Sequence, residues 1–305
     1  MPIEHRYVSI RGLTLHCAVA GDGPLVILLH GFPECWYSWR HQLDALSTRF
    51  RVVAPDLRGY NESDKPRPVR AYELTELVAD VEALIETFGA SEAGIVGHDW
   101  GGGVAWTFAM ERPQRTRRLA VLNCPHPAIF SRHLQGNPRQ LLQSWYMFFF
   151  QIPWLPETLL GLSHAAGVGR AIRDSTIVKE AITDEDIRVL RDAASRPGAL
   201  RSAINYYRAI FRQQFRAGAP EWLKNLAGWT NEPPVRRRLE DWPRITAPTL
   251  LVWGEQDVAL RKELTYGMEP LFDAPFRIHY VPESGHWVQQ EQAALVNQLL
   301  LEHFS

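Results

Sequence analysis

Six residues, Gly97-His98-Asp99-Trp100-Gly101-Gly102, stand between a short buried apolar run and a helical pattern. They constrain the fold more than any other stretch. Glycines two before and two after Asp99 permit a strand-to-helix turn too tight for side chains at those positions, and such a turn lifts its central residue to the top of a sheet. Around the turn runs a strand–helix alternation. Leu13–Ala20, Leu25–His30, Arg51–Pro55, Ala93–Val96 and Leu119–Leu122 read as strands. Leu74, Leu77, Val78, Val81, Leu84, Ile85 and Phe88 recur at helical spacing, Gly89 is placed to end that helix, and Gly101–Met110 reads as another. This order predicts a parallel sheet with helices on both faces.

From about Ala128 to Trp242 the rhythm gives way to a mostly helical segment rich in aromatics, arginine and proline. Strand patterns return at Pro248–Trp253 and Phe276–Val281, and Trp287–Phe304 predicts a last helix. The expected organisation is an α/β core made of residues 1–127 and 243–305, interrupted by a helical insertion at 128–242. An insertion leaving the carboxyl end of a strand lies over the edge where open α/β sheets bind ligands. Gly167-Val168-Gly169 has no strand before it and reads as loop.

Charge limits the partners. The chain has 33 basic and 34 acidic side chains with no sustained basic stripe, which argues against nucleic acid. The tightest basic cluster, Arg236-Arg237-Arg238, follows Pro233-Pro234 and reads as a solvated loop or helix end. Cys17, Cys35 and Cys124 lie far apart without metal-ligand spacing, pointing to free thiols in a reducing compartment. No apolar core of a signal peptide follows the N-terminus, and the most apolar stretch, Gln140–Pro156, contains glutamines and prolines. A cytoplasmic protein with no membrane span is expected. No cofactor or metal is expected either, because HExxH, CxxC and a strand-flanked G-x-G-x-x-G are all missing.

The central Asp99 decides the chemistry. A serine attacking saturated carbon makes an ether, which is a dead end. An aspartate makes an alkyl ester, which water can cleave at the carboxyl carbon, so an aspartate here points to displacement at an epoxide or alkyl halide. Ser284-Gly285-His286-Trp287 follows the last strand pattern and offers His286 as a base for the water. Gly254-Glu255-Gln256-Asp257 offers an acid to orient that histidine, and spacing alone does not choose between Glu255 and Asp257. Asn123, at the other common place for such an acid, cannot serve. His30-Gly31-Phe32-Pro33-Glu34 forms a loop after a strand, so the Phe32 and Trp100 N–H groups can stabilise an oxyanion on the Asp99 carboxyl.

Together with Asp56-Leu57-Arg58-Gly59-Tyr60 and Ser63-Asp64-Lys65-Pro66, these motifs resemble the α/β-hydrolase-fold epoxide hydrolases. The resemblance runs from about residue 5 to 304 and is densest in the first 125. It implies an α/β-hydrolase fold, with an eight-stranded, mostly parallel sheet and an inserted helical cap. It implies Asp99 as nucleophile, His286 as base and Asp257, rather than Glu255, as acid. It also implies two cap tyrosines aimed at the epoxide oxygen, matched by Tyr146 and Tyr207, with Tyr37, Tyr206 and Tyr280 as rivals. A phenol is chemically suited to the task, since ring opening leaves an alkoxide that needs a proton. His30, Glu34, Trp36 and Phe149 are expected to touch the substrate or to stand behind the groups that do, with Glu34 helping to order the hydrolytic water and His98 supporting the loop.

The expected partner is a small apolar epoxide, and a homodimer is possible. A haloalkane dehalogenase would share Asp99 and Trp100, but Phe32 offers no side-chain donor to a halide, and paired tyrosines would be idle. A hydrolase-fold binding protein would be expected to lack part of the catalytic set. A serine-type esterase is excluded by Asp99 itself.

Overall fold

The computed structural model describes residues 2–136, 138–218 and 238–305. Eight strands form one sheet: β1 Glu4–Ile10, β2 Leu13–Ala20, β3 Leu25–Leu29, β4 Arg51–Pro55, β5 Ala93–His98, β6 Thr116–Leu122, β7 Thr249–Gly254 and β8 Phe276–Val281. Their order is β1-β2-β4-β3-β5-β6-β7-β8. Only β2 runs against its neighbours. The central strands β3, β5 and β7 are buried along their whole length, as expected of strands covered on both faces.

Alternate residues of those strands feed two apolar layers. Ile27, Ile95, Val121 and Leu251 join one layer with helices α2, Leu74–Thr87, and α3, Trp100–Glu111. Leu28, Val96, Ala120 and Val252 join the other with helix α1, Arg40–Leu46, and the C-terminal helix Ala293–Phe304. Burial of this apolar area is the main force holding the core.

Between β6 and β7 the described elements are helical: α4 Pro127–Gly136, α5 Pro138–Gln143, α6 Trp145–Phe149, α7 Leu155–Ser175, α8 Asp184–Ser195 and α9 Ala199–Ala217, with 3-10 turns. Arg236 and Arg237 lie outside the described residues. Gly167-Val168-Gly169 is not loop as expected but part of α7. There Gly169 lets α7 approach α8, since a Cβ would lie 2.8 Å from the Arg191 side chain and 3.0 Å from that of Ile187. Strand β1 lacks a clear strand pattern in the sequence because it is a largely exposed edge strand with polar residues. The last helix is divided at Gln292 into α10, Val288–Glu291, and α11, Ala293–Phe304. None of the described helices is long and apolar enough to cross a membrane.

Candidate active site

The turn after β5 forms for steric reasons. Asp99 adopts φ 49° and ψ −120°, a strained conformation for a residue with a side chain. A Cβ at Gly101 would stand 2.0 Å from the Leu29 carbonyl oxygen, and one at Gly97 would stand 2.3 Å from the Gly101 oxygen. Gly31 is pressed against Asp99 itself, at 2.4 Å from an added Cβ to the Asp99 Cβ. The glycines therefore admit a crossing of three backbone segments, and Asp99 caps α3 at the top of the sheet.

Two groups converge on the Asp99 carboxylate, and a third donor follows it in the chain. The Phe32 N–H donates to its Oδ1 at 2.7 Å. His286 Nε2 stands 3.6 Å from its Oδ2. The Trp100 N–H begins α3, where the first amides have no intrahelical acceptor. His286 Nδ1 pairs with Asp257 Oδ2 at 2.7 Å. The other Asp257 oxygen, Oδ1, accepts the N–H groups of Ala259 at 2.8 Å and Leu260 at 2.9 Å. Burial works against charge on Asp257, but the neighbouring His286 and these donors hold its carboxyl below the usual range. Burial likewise opposes charge on His286, yet Asp257 and Asp99 hold its imidazole well above the ordinary value.

Tyr146 on α6 and Tyr207 on α9 face the same cleft. Their rings meet edge-on with centroids 5.9 Å apart, and Tyr207 also lies edge-on to Trp100 at 4.9 Å. Burial, reinforced by the Asp99 charge, raises both phenols and keeps them protonated. The rival tyrosines are engaged elsewhere. Tyr206 donates to the Arg58 carbonyl, Tyr37 donates to Asp186, and Tyr280 shares a hydrogen bond with Thr265. The remaining cleft wall is mostly apolar, with Leu74, Phe130, Met147, Ile210 and Leu260.

The other expected residues lie behind or beside this cleft. His30 is buried under the loop, where its Nε2 accepts the Leu57 N–H at 3.0 Å. Glu34 is also buried. Its Oε2 accepts from the Gly31 N–H and faces His98 Nδ1, and its Oε1 accepts from Gln289 and Gln290. Those contacts place the carboxylate in a tie between the loop, the β5 turn and α10. Phe149 backs the tyrosines through Phe150. Trp36 does not line the cleft. It packs edge-on to His5 and Tyr37 beside the first strands.

The described chain matches known proteins along nearly its whole length. A family model for the alpha/beta hydrolase fold covers residues 24–293. Human epoxide hydrolase 4 is 37% identical over 97% of this chain and 77% of its own. The AB hydrolase superfamily protein YfhM of Bacillus subtilis is 37% identical over 99% and 98%. The structure of a Bacillus megaterium epoxide hydrolase with an inhibitor superposes with a TM-score of 0.85 at 31% identity, covering 98% of this chain and 99% of that one. The chain belongs to the α/β-hydrolase-fold epoxide hydrolases.

In this enzyme the structure adds a residue that the sequence reading set aside. Asn123 follows β6 with φ 38°. Its Nδ2 donates to Asp257 Oδ2 at 2.9 Å, and its Oδ1 accepts the Gly254 N–H at 2.8 Å. It cannot be the acid, but it holds the acid. Only its place at the end of a strand beside β7 hinted at that. His98 is a second tie, since its Nε2 pairs with the His286 carbonyl at 2.9 Å while its Nδ1 faces Glu34. Among the described residues, no cluster of three or more His, Cys, Asp or Glu side chains is arranged to hold a metal ion.

Proposed function

We propose that the protein hydrolyses a small apolar epoxide to a vicinal diol through an alkyl ester on Asp99. The observation that carries this reading is two protonated phenols lining the same cleft as an aspartate. A carboxylate oxygen of Asp99 attacks a ring carbon, the C–O bond breaks, and Tyr146 and Tyr207 donate to the departing oxygen, one of them giving its proton. The ester carries no charge, so His286 loses one of the two anions that favour its protonated form. That change lets its proton pass to the tyrosinate left by ring opening, which restores the phenol and frees His286 to act as a base, so the ester itself triggers its own hydrolysis. His286, oriented by Asp257, then takes a proton from water, which attacks the Asp99 carboxyl carbon. The Phe32 and Trp100 N–H groups receive the resulting oxyanion. Collapse breaks the bond to the alcohol oxygen, which takes the proton carried by the new carboxylic acid, so the diol leaves and the carboxylate returns.

Several further readings accompany this one. Residues 1–127 and 243–305 form the core and 128–242 the cap, supported by the wholly helical character of the described elements between β6 and β7. Three cysteines without disulfides among the described residues support a cytoplasmic location. Exposed Trp145, Phe148, Trp154 and Phe211 on the cap support pairing of two copies.

The test is a parallel turnover assay of the protein and its Asp99→Ala variant on an aryl epoxide, an alkyl epoxide and an alkyl bromide. Diol from an epoxide, lost in the variant and without bromide release, is the expected result. Bromide release without diol would overturn the reading.

A further inference from the structure

Arg208 follows Tyr207 on α9, yet its side chain is only 9% exposed and turned into the cap. Its guanidinium holds two carbonyls of the segment that joins α6 to α7 and a carboxylate in the first turn of α7. The Nε donates to the Phe150 carbonyl at 2.9 Å, and one Nη donates to the Ile152 carbonyl at 2.8 Å. The fork closes on the Glu157 carboxylate at 2.5 and 3.2 Å. A bidentate arginine–carboxylate pair, here with a buried arginine and a partly exposed glutamate, fixes orientation as well as distance.

The segment it holds bears directly on Tyr146. The Phe150 N–H donates to the Tyr146 carbonyl at 2.9 Å, so the clamped carbonyl lies one helical turn beyond the tyrosine. The Phe150 ring meets Tyr207 at 4.8 Å and Tyr146 at 5.9 Å. The two tyrosines sit on helices far apart in the sequence, and besides edge-on aromatic contacts their segments share one long hydrogen bond, from Gln151 Nε2 to the Tyr207 carbonyl at 3.5 Å. Arg208 supplies a directional link between these helices.

We infer that Arg208, locked onto Glu157, is a positioning residue that sets the separation and angle of Tyr146 and Tyr207. It thereby governs the rate of ring opening rather than of ester hydrolysis. The inference rests on the proposed role of the two tyrosines. On the hydrolytic side His286, Asp257 and the Phe32 N–H are carried by the core, and the clamp reaches that side only through the Phe32 ring, which meets Phe150 edge-on at 5.3 Å.

The experiment separates the half-reactions. Single turnovers of an aryl epoxide by the full-length protein are followed by tryptophan fluorescence and rapid quench, giving one rate for ester formation and one for its hydrolysis. Glu157→Gln keeps the shape and removes the charge, and Arg208→Lys keeps the charge and removes the fork. Both are expected to slow ester formation about tenfold or more while hydrolysis changes less than twofold. In a Tyr207→Phe background, the effect of Glu157→Gln is expected to shrink to less than half, because the clamp then has one phenol fewer to place. Thermal unfolding of each variant accompanies the kinetics. Equal slowing of both half-reactions, or full multiplication of the Glu157 and Tyr207 effects, would show a general support of the cap and overturn the inference. If Tyr146→Phe and Tyr207→Phe slow ester formation but the clamp variants do not, the inference fails alone. If the tyrosine variants also leave ester formation unchanged, the tyrosine reading fails with it.

Discussion

On the sheet side of the cleft, polar groups are held by backbone and by buried charge. Asp99 sits in a strained turn that three glycines admit, and Asp257 is bound by two N–H groups, Asn123 and His286. On the cap side, Tyr146 and Tyr207 are held by edge-on aromatic contacts, one clamp and a long hydrogen bond from Gln151 to the Tyr207 carbonyl. The difference follows the chemistry. Bond formation to carbon and proton transfer to water need atoms within tenths of an ångström, which rigid backbone supplies. On the proposed reading, the donors to the departing oxygen stand on two helices and owe their placement to side-chain packing and the Arg208 clamp rather than to a backbone turn.

This contrast can be broken from the sheet side first. Asp99→Ala is expected to reduce diol formation by about 10⁴-fold or more, since no other group can form the ester. Product analysis on an aryl epoxide checks it, and persistent turnover would remove Asp99 from the reaction. His286→Gln is expected to slow ester hydrolysis about 10³-fold while ester still forms. Mass spectrometry of the intact protein should then find the substrate mass added at Asp99. An unmodified protein under the same conditions would place His286 in the first step instead.

The ties behind the loop sharpen the comparison with smaller effects. Burial opposes charge on Glu34, but His98 and the donors around it hold its carboxyl down at about 2, against 4.5 for an ordinary glutamate. That shift corresponds to about 3 kcal/mol of stabilisation, to order of magnitude. The folded-state value lies below the unfolded one, so this contribution is complete above pH 4.5 and fades as the pH falls towards 2. Glu34→Gln should therefore lower stability by about that amount at neutral pH and by progressively less in acid. Denaturant unfolding across pH measures it, and a pH-independent loss would assign the effect to packing alone. Asn123→Ala has the smallest expected effect, about a tenfold slower ester hydrolysis, comparable to one hydrogen bond to a charged group. Unchanged hydrolysis would show that the backbone donors suffice to hold Asp257.

The same division explains what the sequence discloses. The Asp99 turn is legible because its glycines, strand and helix are contiguous, and the steric demand is local. The parallel sheet is legible because doubly covered strands are apolar throughout. Strand β1 is not, because an edge strand exposes most of its side chains and carries little pattern. Asn123, Gln289 and Gln290 act through contacts across more than a hundred residues, which no local spacing records. Tyr146 and Tyr207 stand out only through family resemblance, since an aromatic in a helical segment reads equally well as packing. Trp36 shows the converse error. It adjoins the Phe32 loop in sequence, but the 3-10 turn at Trp36–Trp39 carries it away from the cleft.

The helical segment leaves the sheet from β6 and returns to it at β7, and these strands are hydrogen-bonded neighbours in register from Leu119 with Thr249. The sheet therefore fixes how far apart the two ends of the segment are, whatever lies between them. Lengthening such a connection is cheap, about 0.6 kcal/mol for each doubling of its length. The segment between β6 and β7, with the two tyrosines it carries, can thus vary in length while the sheet keeps Asp99, Asp257 and His286 where they are. The outer wall of the cleft can therefore grow or shrink without disturbing its floor.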